Sequence, residues 1–106
     1  MEDSTKILSS EVLRTGLISN KETILVDYWA KWCGPCRTLI PKLESFENDY
    51  PNITFVKVDV DSEQQFAMSL GIRSVPTVMI FDGDKLVDRS SGINDDSYYK
   101  DILNSL

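Results

Sequence analysis

Ile24-Leu25-Val26-Asp27-Tyr28-Trp29 is apolar at every position but one. Such a near-continuous run, within Thr23 to Trp29, predicts a strand covered on both faces, as in a sheet between two helix layers. From Cys33 to about Tyr50 the rhythm changes. Cys36, Leu39, Ile40, Leu43, Phe46 and Tyr50 fall at spacings of three and four, the stripe of an amphipathic helix. Pro35 sits in its first turn, where an amide hydrogen has no intrahelical use. Pro41 lies inside the stripe and costs a helix about 3 kcal/mol. The stripe runs on in phase beyond it, so one kinked helix is expected rather than two broken at Ile40.

The flanking segments complete an alternation. Lys6-Ile7-Leu8-Ser9 reads as a short edge strand, Ser10 to Leu17 as a helix and Asn20-Lys21-Glu22 as a loop. Ile53 to Val60 is a half-alternating strand with Lys57 and Asp59 among valines. Asp61 or Ser62 caps a helix from Glu63 to about Leu70, closed by Gly71. Val75-Pro76 opens a strand through Phe81, and Gly83-Asp84 suits a two-residue hairpin turn into a strand from Lys85 to Ser90. Gly92 breaks that strand. Asp95 or Asp96 starts a last helix with Tyr98, Tyr99, Ile102, Leu103 and Leu106 towards its buried side. The order β-α-β-α-β-α-β-β-α predicts an α/β fold, a mixed five-stranded sheet flanked by four helices, as a single domain over residues 1–106.

Charge narrows the function. The chain of 106 residues carries a net charge of −6 and no basic block, which argues against nucleic acid and anionic membrane surfaces as partners. No apolar stretch is long enough to cross a bilayer. The polar start, Met1-Glu2-Asp3-Ser4-Thr5-Lys6, lacks the basic head and apolar middle of a signal peptide, so a cytoplasmic protein is expected.

Both cysteines stand in Trp32-Cys33-Gly34-Pro35-Cys36, where the central strand hands over to the helix. Three readings exist: a structural bridge, half a metal site, or a redox pair. Zinc takes four ligands, usually Cys or His, and with no histidine and no third cysteine a site would have to be shared between subunits. A bridge closing a four-residue loop is worth about 2 kcal/mol, against about 3 for a fifteen-residue loop, which is little for a chain able to build its own core. The placement favours redox chemistry.

The attacking species in disulfide exchange is a thiolate, and a thiol near pKa 8.5 is only about 3 % ionised at pH 7. At a helix N-terminus, free amide hydrogens and the dipole favour an anion by up to ~2 kcal/mol, and Arg37 adds a nearby positive charge. A shift of about one to one and a half units gives roughly a quarter to a half thiolate at pH 7. Cys33, opening the helix, is expected to be exposed and to attack a target disulfide. Cys36, within the buried stripe, is expected to resolve the mixed disulfide. Cys36 then needs a proton acceptor, and Asp27, alone in an apolar strand, is the candidate; desolvation raises its pKa. The alternative is a strand-end aspartate in water. Lys57 either lies beside Asp27 and moderates that shift or is a solvated strand lysine.

With these residues in view the chain resembles the thioredoxin family. Trp32-Cys33-Gly34-Pro35-Cys36 matches the family's W-C-G-P-C site, and the likeness extends through Val26-Asp27-Tyr28-Trp29-Ala30, Pro41, Lys57-Val58-Asp59, Gly71-Ile72-Arg73-Ser74-Val75-Pro76-Thr77 and Gly92. The family is itself a standard instance of a lowered C-x-x-C thiol pKa, so the magnitude above is not independent of it. The resemblance implies a thioredoxin fold and a protein-disulfide reductase. It implies a cis Val75-Pro76 bond against the disulfide, where local rules alone favour trans. It implies a groove rimmed by Trp32, Val75, Pro76 and Gly92 that takes extended target segments, with Asp27 as the buried acid and Lys57 as its neighbour. Gly34-Pro35, with no histidine between the cysteines, implies a comparatively reducing couple. No bound cofactor or metal is implied. Electrons would come from NADPH through a flavoprotein thioredoxin reductase, and disulfide-containing proteins would be the targets of a monomeric carrier.

Three positions depart from the family's pattern. Gly83-Asp84 alters the hairpin turn, Tyr28 replaces a common phenylalanine, and Ser91 stands where a valine is frequent. From another class, the chain could be a docking module that leaves its sulfurs unused. An isomerase would show a markedly less negative potential.

Overall fold

The central apolar run cannot leave either face in water, and it becomes the middle of the sheet. The computed structural model describes residues 6–7, 23–83 and 85–106. In it, β1 (Lys6–Ile7), β2 (Thr23–Trp29), β3 (Ile53–Asp59), β4 (Thr77–Asp82) and β5 (Lys85–Ser91) form one sheet in the order β1-β3-β2-β4-β5. β1 and β2 both run parallel to β3, while β4 is antiparallel to β2 and β5 to β4. This is the expected mixed five-stranded sheet. Three helices are described: α1 (Gly34–Asp49), α2 (Gln64–Ser69) and α3 (Asp96–Asn104). The expected helix from Ser10 to Leu17 and the loop at Asn20 to Glu22 lie outside the described residues, as does Asp84 of the hairpin.

Strand alternation sends side chains to two cores. Leu25, Phe55, Val78 and Ile80 meet Leu39, Leu43 and Phe46 of α1 and Tyr99 and Leu103 of α3. On the opposite face Ile24, Val26, Tyr28, Val56, Val58 and Met79 meet Phe66 of α2. Asp27 shares a parity with Leu25, so it points to the face that α1 covers.

α1 runs unbroken through Pro41, with Cys33 as its N-cap and Tyr50 as its C-cap. Its far end is fastened to α3, where Tyr50 Oη donates to Asn104 Oδ1 at 2.8 Å. Several expected boundaries move by a residue or two. α2 begins at Gln64 rather than Glu63, and neither Asp61 nor Ser62 caps it. Asp59, at the end of β3, instead closes the turn that leads into α2: its Oδ1 accepts from the Asp61 N–H at 2.9 Å and from the Ser62 N–H at 3.4 Å. Leu106, expected at the buried side of α3, is exposed.

Candidate active site

The site grows from the cap of α1. Cys33 has extended backbone torsions, and its Sγ accepts from the Cys36 N–H at 3.2 Å. Pro35 has no amide hydrogen to offer, so the third helical residue supplies the donor and sulfur takes the place of a capping oxygen. The two cysteines are joined as a disulfide, with Cα atoms 5.3 Å apart. Arg37 Nη2 donates to the Lys31 carbonyl at 2.9 Å, which closes the turn leading into the helix.

Cys33 is not exposed as expected. It is 4 % accessible, against 0 % for Cys36, and both pack with Ala30, Val60 and Val75. The cover comes from a distant segment. Cys33 Sγ lies 3.6 Å from the Val75 carbonyl oxygen, an acceptor for the thiol proton once the pair is reduced. The Val75-Pro76 bond is cis, as the family resemblance implied and local rules did not.

The other residues expected to rim a groove lie near this point. Trp32 is 68 % exposed, and its Nε1 donates to Asp61 Oδ2 at 2.9 Å. Trp32 and Val75 line a surface hollow of about 130 Å³ together with Val60, Ile72, Arg73 and Ser74. The Gly92 N–H donates to the Pro76 carbonyl at 2.8 Å, with Gly92 at a φ of +76° that favours glycine. A larger hollow of about 440 Å³ is lined by residues 61–66 and includes neither sulfur nor Trp32. The smaller one includes neither sulfur, but its wall carries Val75, whose carbonyl meets Cys33 Sγ.

On the sheet face that α1 covers, Asp27 is 1 % accessible and stands in register with Lys57 on β3 and Val78 on β4. Neither carboxylate oxygen has a hydrogen-bond partner among the described residues. Burial pushes its pKa up to about 7, and the Lys57 charge pulls part of the way back. Lys57 is buried too, with its Nζ 5.8 Å from the centre of the Trp29 ring. The solvated alternatives for both residues are therefore excluded. The sequence marks Asp61 only as a cap. Its contact with Trp32 spans 29 positions, and nothing local signals it. Among the described residues no group of three or more His, Cys, Asp or Glu side chains could hold a metal ion.

A redox-capable sulfur pair at the cap of a helix, on an α/β sheet whose central strand carries a buried acid, defines a thiol–disulfide exchange protein. The family profile described as Thioredoxin matches residues 4–105. A thioredoxin of Mycoplasmoides gallisepticum is 39 % identical over 87 residues, covering 82 % of this chain and 87 % of the relative. Among solved structures, mitochondrial thioredoxin 3 from Saccharomyces cerevisiae, in its oxidized form, superposes with a TM-score of 0.84 at 29 % identity, over 95 % of each chain. Another, from a structure of the thiol resolving mechanism in yeast mitochondrial 1-Cys peroxiredoxin via glutathione/thioredoxin systems, has a TM-score of 0.84 at 28 % identity, over 95 % of each chain. The chain belongs to the thioredoxin family. It is a thiol–disulfide oxidoreductase with a Cys33–Cys36 redox centre, a protein-disulfide reductase whose targets carry disulfides.

Proposed function

We propose that Cys33 opens the exchange, Cys36 completes it and Asp27 takes the proton released between them. The Cys33 thiolate attacks one sulfur of a target disulfide. A mixed disulfide forms, and the other target sulfur leaves as a thiolate. Cys36 gives its proton to Asp27 and attacks Cys33 Sγ, expelling the second target thiolate. Two electrons pass to the target, and the protein is left with the Cys33–Cys36 disulfide. The observation that carries this is the cap itself: a backbone N–H at a helix N-terminus already donates to Cys33 Sγ, an arrangement that favours negative charge on that sulfur.

The groove residues Trp32, Val75, Pro76 and Gly92 receive an extended target segment, and Gly34-Pro35 keeps the couple reducing. Lys57 lowers the proton affinity of Asp27 from the neighbouring strand. Electrons reach the disulfide from NADPH through a flavoprotein thioredoxin reductase, and the protein itself holds no cofactor. It works as a monomer in the cytoplasm, without nucleic acid or membrane as a partner. The net charge of −6 supports the exclusion of nucleic acid. A peroxiredoxin, the thiol enzyme with which one of the yeast structures is concerned, is the kind of target it would serve.

Insulin reduction driven by dithiothreitol tests the assignment. Wild type accelerates it, Cys33→Ser does not, and Cys36→Ser accumulates covalent adducts with the target. Turnover by Cys33→Ser would overturn both cysteine roles.

A further inference from the structure

The segment from α2 to β4, residues 71–76, forms one wall of the hollow beside Trp32 and sets the Val75 carbonyl against Cys33. It is fastened at both ends, to β5 and to the glycine that follows it. At the far end the Gly92 N–H donates to Pro76 O at 2.8 Å. At the near end the Arg89 side chain crosses from β5 to the end of α2. Its Nη1 donates to the Leu70 carbonyl and its Nη2 to the Gly71 carbonyl, both at 2.7 Å. The planar guanidinium presents two donors in a fixed fork, which suits two successive carbonyls at a helix C-terminus. Gly71 is also where the chain turns out of α2, at a φ of +71°, with its N–H on Met68 O and the Ile72 N–H on Ala67 O. The fork therefore grips the peptide from which Ile72 and Arg73 depart towards the groove. Between the two fastenings, Thr77 Oγ1 donates to Ser74 O at 2.7 Å.

We infer that Arg89 is a positioning residue for target binding, holding the 71–76 wall in the geometry that receives a polypeptide while acting on neither sulfur directly. This rests on the groove reading proposed above. A small disulfide needs no wall to dock against, so the two kinds of substrate separate the effect.

The test compares wild type, Arg89→Ala and Arg89→Lys, each checked for folding by thermal melting. With dithiothreitol as electron source, the KM for insulin rises about fivefold in Arg89→Ala, the loss of charge-assisted hydrogen bonds at an exposed site, while kcat stays within about twofold. The rate of the reduced protein with the small disulfide DTNB is unchanged. Arg89→Lys, with one donor group in place of the fork, gives an intermediate KM; if Arg89→Ala does not fold, a raised KM with an unchanged DTNB rate in Arg89→Lys supports the inference alone. Wild-type KM in the variants, or a DTNB rate that falls with the insulin rate, would overturn it. Absence of insulin reduction by wild type would instead sink the proposed function.

Discussion

Asp27 shows what one carboxyl does when a strand has no room to hydrate it. Its pKa is raised from 3.8 to about 7 by burial, with Lys57 opposing. Because the folded value lies above the unfolded one, the stability linked to this proton is full below pH 3.8 and gone above about 7. Wild type should therefore lose stability through that window, to which Asp27→Asn does not respond. Denaturant titrations at pH 5 and pH 8 should show the advantage of Asp27→Asn growing by about 3 kcal/mol between them, from about two units at 1.36 kcal/mol each. The rate of mixed-disulfide resolution in wild type should rise through about pH 7, and the asparagine variant should be flat there. A stability difference that is the same at both pH values would place the carboxyl in water.

At the level of elements, the junctions rather than the regular stretches set the site. The turn from β3 into α2 hangs on Asp59, whose carboxylate takes two backbone N–H groups while Asp61 is left to reach Trp32. Asp59→Ala should cost about 1–2 kcal/mol, the loss typical of a capping side chain. It should also loosen Trp32, whose fluorescence reports the change. If Asp59→Ala matches wild type in stability and emission, the turn stands without it. At the outer strand the pairing slips by one between Ile80–Asp88 and Phe81–Leu86, so Val87 is an extra residue in β5. Such a bulge twists an edge strand and discourages pairing with another chain.

For the molecule as a whole, the disulfide is a tool rather than a staple. It closes a loop of four residues, and two helix-backed cores hold the sheet without it. Reduction should lower stability by no more than about 2 kcal/mol and leave the fold intact, as denaturation of the oxidised and reduced forms would show. Unfolding on reduction alone would contradict this. The same division explains what was legible in the sequence. β2, the stripe of α1 and the cysteine spacing are patterns within a few residues of chain, and each appears where it was expected. The burial of Cys33 is imposed by Val75, 42 positions away, and no local rule registers it. The same holds for Asp61 beside Trp32 and for Arg89, whose two carbonyl partners lie 19 and 18 positions away. Cis Val75-Pro76 came from family likeness and not from any propensity.

That recessed residue should act as a sieve on clients. A side chain on a residue only 4 % accessible cannot probe into another protein's interior, so the partner must bring its bridge outward, on a protruding or unravelled stretch able to slip under the lip. Sturdy, deeply set cystines would pass unharmed, and those on frayed chains would be opened first.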